Sequence, residues 1–174
     1  MEEQKIKVAD RRGEFDIEYG CVRTYHIDGN YAMLAVMFQG IKGAFALLSE
    51  SDTIQRDSVY VLCGHPGTGV RDAFEFITRA VTRGVYALDC SLPYARFNPH
   101  KEMAYYFELS NATLRVKAQM KEGILPSRFF ELFGVSKNKT VTKAEAEEFE
   151  ILKEAIEKKV LAMQPNEIFT YEVE

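Results

Sequence analysis

The alternation of apolar and polar residues changes period several times along the chain, and each change marks an expected element. Residues 15–27 alternate loosely and carry Val22, Thr24, Tyr25 and Ile27, types that suit a pleated, half-buried surface, so a strand is expected there, ended by Asp28-Gly29-Asn30. From Tyr31 the period becomes helical: Tyr31, Leu34, Ala35, Phe38, Ile41, Phe45 and Leu48 form one broad stripe along a long helix. Gly40 and Gly43 fall inside it. Each weakens a helix interior by on the order of 1 kcal/mol relative to Ala, which points to close packing against another backbone at both positions.

Residues 58–63 are a short apolar run rich in β-formers and bounded by Gly64 and Pro66, the pattern of a buried strand. Beyond the glycine-rich turn, Val70, Ala73, Phe74, Ile77 and Val81 make a second helical stripe, which Gly84 is placed to close in a left-handed conformation. Residues 84–88 return as a strand and complete a β-α-β unit. Two further runs, 103–109 and 113–118, meet at Ser110-Asn111 as a hairpin. Pro126 and Gly134 bracket a short helix holding Phe129, Phe130, Leu132 and Phe133. A last long helix opens with the capping box Thr142-x-x-Glu145, turns Phe149, Leu152, Ile156, Val160 and Met163 to the core, and stops at Pro165. Residues 168–173 alternate as a terminal strand. With no repeat or long linker between them, these elements predict one α+β domain over 1–174, a single mixed sheet packed by helices, with 1–14 as a flexible arm.

Composition narrows the function classes. The chain is 47% hydrophobic, enough for one substantial core in 174 residues. Its 26 acidic and 22 basic residues leave a formal charge of -4, and the basic residues are scattered along the sequence, which argues against a nucleic-acid partner. The longest unbroken apolar run, 31–38, is far short of the ~20 residues of a membrane span. Residues 1–12 contain no secretory apolar segment. Cys21, Cys63 and Cys90 are too few and too widely spaced for a disulfide scaffold and read as small apolar core residues, so the expectation is a cytoplasmic protein without a membrane partner.

Candidate chemistry concentrates in Cys63-Gly64-His65-Pro66-Gly67-Thr68-Gly69, between a strand and a helix. The glycines permit close backbone approach and a positive φ, expected at Gly69, and a helix N-terminus offers unpaired N–H groups to an anion. A small-ligand site would then use Gly64, Gly67, Thr68 and Gly69, with Arg96 and Lys101 added from the long segment 90–101. The turn is neither a Walker loop nor a dinucleotide fingerprint, since Asp72 stands where the last Gly of the latter belongs. A second reading makes His26, Cys63 and His65 a site for a divalent metal such as zinc. The plain alternative is a strand-to-helix turn N-capped by Thr68, one buried Cys and two partly solvated His. His100 reads as a surface residue. Tyr105, Tyr106 and Tyr171, taken as exposed, favour a homodimer. No nucleophile or general base stands at an informative spacing.

Four segments, Asp28-Gly29-Asn30-Tyr31-Ala32, residues 59–62 with 69–74, residues 100–107 and residues 166–173, together resemble the FmdE-like family, the relatives of one of the subunits of formylmethanofuran dehydrogenase, over about residues 28–173. The family's His-Gly-His-x-Cys turn before a long helix is matched in place by Asp28-Gly29-Asn30-Tyr31-Ala32. Its strand and Cys-x-x-Asp-Ala helix start look like residues 59–62 followed by Gly69-Val70-Arg71-Asp72-Ala73-Phe74. Its Gly-Lys-x-Ala-x-x-Phe strand is similar to His100-Lys101-Glu102-Met103-Ala104-Tyr105-Tyr106-Phe107, and its Glu-Leu-Phe-x-Val tail to residues 166–173. The resemblance implies an α+β core of one sheet packed by helices. The family's metal-type ligands are replaced here by Asp28, Asn30, Ala32 and Gly69, its Gly-Cys-Thr turn reads Arg79-Ala80-Val81, and no zinc-finger cysteines follow Cys90. What the resemblance implies for function is a cleft rebuilt for a small ligand or ion at 63–69. The alternatives are an enzyme or accessory subunit of one-carbon, molybdenum- or tungsten-linked metabolism, and a structural or interaction subunit.

Overall fold

The longest apolar helix can be buried only if other elements surround it, and the architecture follows from that demand. The computed structural model describes residues 4–49 and 53–174. It begins with a hairpin, β1 (Lys5–Asp10) and β2 (Gly13–Glu18), then α1 (Tyr19–Tyr25), the long α2 (Tyr31–Leu48) and the short β3 (Ile54–Gln55). A 3-10 turn (Arg56–Ser58) leads into β4 (Tyr60–Cys63), α3 (Thr68–Thr78) and β5 (Tyr86–Leu88). The hairpin β6 (Tyr106–Ser110) and β7 (Arg115–Met120), then α4 (Ser127–Lys137), α5 (Lys143–Ala162), α6 (Pro165–Ile168) and β8 (Phe169–Val173) complete the chain.

The fold is α+β, with the strands divided over two sheets where one was expected: β2-β1-β3 and β5-β4-β6-β7-β8. The first sheet uses residues expected to form a flexible arm. Ile6 and Val8 alternate with Lys5 and Lys7, bury their side chains and pair with β2. The strand expected over 15–27 ends at Glu18 instead. Tyr19 and Val22, three apart, take one buried face of α1, a spacing that a helix satisfies and a strand does not. The β4-α3-β5 unit has the expected parallel pairing, Val61 with Tyr86 and Cys63 with Leu88. Helix α3 ends a turn before Gly84, because Arg79 adopts the left-handed conformation (φ 58°) and its N–H bonds the Glu75 carbonyl. Gly134 does not end α4, which runs on to Lys137.

Across the five-stranded sheet, Cys63, Phe107, Ala118 and Tyr171 pair in one row and turn inward, while the neighbouring row Leu62, Glu108, Lys117 and Glu172 turns outward. Helix α2 lies on the inward face and is also covered by α3, α5 and α6. It is long and apolar enough to cross a membrane, yet every residue in 32–41 is buried by the protein's own elements. Gln39, Gly40 and Lys42 interrupt its apolar run, and Gln39 shows why a polar residue is tolerated there. Its Nε2 donates to the carbonyls of Val160, Leu161 and Met163 around the C-terminal end of α5, where the helix can no longer supply N–H donors four residues on. Helix α5 carries the expected capping box. Ile156 and Val160 are fully packed, Phe149, Leu152 and Met163 are half-buried, and Glu157 is buried because it accepts from the Tyr19 hydroxyl and Arg23, both at 2.8 Å.

Gly40 and Gly43 make close approaches, but to side chains rather than to a backbone. A Cβ at Gly40 would stand 2.7 Å from the Phe169 ring and 3.0 Å from Phe107; one at Gly43 would stand 2.2 Å from the Tyr171 hydroxyl oxygen. Ala is the better helix former by about 1 kcal/mol, whereas overpacking a filled core costs about 1–3 kcal/mol. The Phe169 and Phe107 rings are fully buried and cannot swing into solvent. Gly40→Ala is therefore expected to lower unfolding free energy, by up to about 2 kcal/mol, in urea titrations; a variant more stable than the parent would show that the rings have room to yield.

Candidate functional site

Strand β4 carries Cys63 to its carboxyl end, the turn 64–67 reverses the chain, and α3 begins. Gly67, not Thr68, is the N-cap residue, and no side chain caps the helix. The turn is tied by its own candidates for chemistry. The His65 N–H points at Cys63 Sγ (3.4 Å), and His65 Nδ1 accepts from the Gly67 N–H (3.0 Å). Burial pushes the Cys63 thiol up to about 11. Of the three cysteines it alone is buried; Cys21 is on the exposed side of α1 and Cys90 is half-buried in the turn after β5. Burial, with the Lys101 charge as a second cause, holds His65 down to about 3. At neutral pH the pair is thus a protonated thiol and a neutral imidazole whose proton sits on Nε2. Gly64 faces Ala104, where a Cβ would meet the Ala104 Cβ at 2.6 Å, and backbone bonds join Gly64 to Ala104 and Tyr106. The segment entering β6 therefore covers the turn. Beside Cys63 and His65 there remains a cavity of about 10 Å³ among Met33, Met37, Tyr105 and Phe169, close to the room one water needs.

His26 follows α1 and is buried. Its Nδ1 lies 2.8 Å from Asp72 Oδ2 and its Nε2 accepts from the Asn30 N–H at 3.2 Å, so the proton stands on Nδ1 and both ring nitrogens are occupied. The ring pins the 26–30 loop to α3. Gly69 is favoured by this close approach and not by a positive φ, which it does not have. A Cβ there would press on the Asn30 carbonyl at 3.2 Å and the His26 ring at 3.5 Å. The zinc site expected from His26, Cys63 and His65 is not assembled: both nitrogens of the His26 ring are taken up by Asp72 and Asn30, and among the described residues no group of three or more His, Cys, Asp or Glu could hold a metal ion.

The remaining predicted residues lead to a different place. Lys101 is exposed and near enough to His65 for its charge to be felt. Arg96 donates to the Cys90 and Leu92 carbonyls and pairs with Glu102 at 3.0 Å, which shapes the 90–101 segment. Together that segment and the β7–α4 junction enclose a cleft of about 590 Å³, well within the range of small-molecule sites. Phe97, Met120, Leu125 and Phe130 supply its apolar wall; Arg96, His100, Ser127 and Glu131 supply polar groups. Ser127 is the first residue of α4 and brings the positive end of that helix to the wall. His100 is exposed, as expected, and its ring is seated against Gly134, where a Cβ would approach to 2.7 Å. Tyr105, buried rather than exposed, stands between cleft and turn, stacked near Phe97 (6.0 Å between centroids) and edge-on to His65 (4.9 Å). Tyr106 is buried too and Tyr171 half-buried, so none of the three is an exposed aromatic.

No protein-family model matches the chain, and no curated protein matches it. Sequence reasoning missed Phe97, Met120, Phe130 and Ser127 as cleft residues. The signals were the length of the 90–101 segment and the Pro126 helix start, but nothing local says that these two segments meet.

The buried imidazole has a pH signature. In the unfolded chain His65 takes up a proton near 6.5, in the folded protein only near 3. Between those values the unfolded state binds more protons, so stability falls as pH drops below 6.5, by up to about 1.4 kcal/mol per unit from this group. His65→Gln, which keeps an acceptor for Gly67, is expected to flatten that part of the profile in urea unfolding between about pH 6.5 and about pH 5; equal slopes for parent and variant would show that His65 is solvated.

Proposed function

We propose that this chain is a small-molecule-binding protein whose ligand, a compact amphipathic compound with a planar apolar body and a polar edge, sits in the cleft between the 90–101 segment and the start of α4. The observation that carries this reading is the cleft's composition: an aromatic and aliphatic wall of Phe97, Phe130, Met120 and Leu125, with Arg96, His100, Ser127 and Glu131 converging on it. Mixed charge at the rim favours a ligand with donors and acceptors over a polyanion.

Descent from the FmdE-like family is part of the same proposal. It is supported by the order of elements: a glycine turn before a long apolar helix, then strand, turn and helix, and a terminal strand after the last long helix. Under that descent the lost ligand positions are filled by Asp28, Asn30, Ala32 and Gly69, and the binding role has moved from a metal to the cleft.

The test uses 8-anilinonaphthalene-1-sulfonate, which has the required shape, with the parent and Ser127→Trp. Ser127 is exposed at the helix start, so an indole there fills the cleft without entering the core. The parent is expected to bind with a saturable fluorescence rise, and the variant at least about tenfold more weakly with unchanged circular dichroism and melting temperature. Equal binding by both would place the probe elsewhere and overturn the assignment.

A further inference from the structure

Arginines that are scattered along the sequence are gathered by the fold. Arg11 and Arg12 stand in the β1–β2 turn, Arg56 in the 3-10 turn, Arg79 at the left-handed end of α3 and Arg83 in the turn before β5, and all five line one concavity of about 330 Å³ with Asp10 and Asp57. In a chain of formal charge -4, five guanidinium groups against two carboxylates is a local reversal of sign.

Part of that charge has no carboxylate to answer it. Arg12 pairs with Asp10 (2.6 Å) and Arg79 with Glu75 (3.2 Å). Arg56 donates to the Ile77 carbonyl (2.9 Å) and to that of Phe76, and Arg83 to the carbonyls of Asp57 and Val59. Those bonds fix the guanidinium planes, and the Arg56 pair caps the end of α3, but they neutralise nothing. Arg83 also keeps a buried Nε–H with no acceptor among the described residues. Arg11 is exposed and makes no hydrogen bond or ion pair with them. Burial lowers the basicity of Arg56 against the pull of Asp10, and the charges of Arg79 and Arg12 add to that lowering. Positive charges are thus held together more closely than their mutual repulsion favours.

We propose that this concavity binds a phosphorylated small molecule through a pyrophosphate or similar polyanionic group. Planar guanidinium forks match phosphate oxygens in pairs, and the orienting carbonyls hold two of those forks in place before a ligand arrives. Against Asp10, Asp57 and Glu75 the five arginines leave an excess of two positive charges, more than a single carboxylate would neutralise. The patch is small and lies in an acidic protein, which favours a compact ligand over a nucleic-acid strand.

The full chain can be titrated with inorganic pyrophosphate while calorimetry and the arginine Nε–Hε NMR signals are followed, with acetate as the monoanionic control. Saturable binding of pyrophosphate but not of acetate is expected, with shifts at Arg56 and Arg83. Arg11→Gln, at an unengaged surface position, should weaken binding by about tenfold with an unchanged melting temperature. The proposal is overturned if Arg11→Gln binds as well as the parent, if the Arg56 and Arg83 signals do not move, or if a single-stranded oligonucleotide binds more tightly than pyrophosphate at those same arginines.

Discussion

Helix α2 has no face open to water over residues 32–41, and each neighbouring element sits where it covers part of that helix. The inward row of the five-stranded sheet lies along one side, α3 and α5 along others, and Phe169 and Tyr171 close over the two glycines. A helix buried all round must satisfy its own backbone, and here it also serves its neighbours, since Gln39 completes the end of α5. The terminal strand, the last helix and the sheet are thereby held in one core, and the loops that leave that core are positioned by it.

That arrangement decides which polar residues are free for chemistry. Cys63 and His65 stand at the end of β4, directly against the buried layer, so desolvation fixes both in their neutral forms and the turn uses them as internal hydrogen-bond partners. His26 performs the same service between α1 and α3. Residues that look like ligands by type are structural here because they are dry and already bonded. Open space with polar edges occurs farther out, where the 90–101 segment stands away from the sheet and meets the start of α4, and where five arginines converge behind α3.

Much of the fold was legible because its signals are local. The stripe of α2, the apolar run of β4, the capping box of α5 and the paired runs of β6 and β7 each fall within one short window of sequence. The first hairpin was not, since Ile6 and Val8 are its short apolar signal among charged neighbours and Val8 also pairs with the distant β3. Nor was α1, whose β-rich composition is overridden by the tie from Tyr19 to Glu157 on α5. The sites were least legible. Both cleft walls, and the arginines at 11, 12, 56, 79 and 83, come together only through tertiary packing, and no spacing announces that.

If the histidines of the turn and of the 26–30 loop are structural and hold no metal, each ring must keep the one tautomer that its hydrogen bonds select. Long-range ¹H–¹⁵N NMR of the two imidazoles at neutral pH, before and after one equivalent of Zn²⁺, tests this most directly. A protonated Nε2 on His65, a protonated Nδ1 on His26, and no change in either on adding zinc are the expected results. Joint movement of both rings to metal-bound shifts at one equivalent would contradict them.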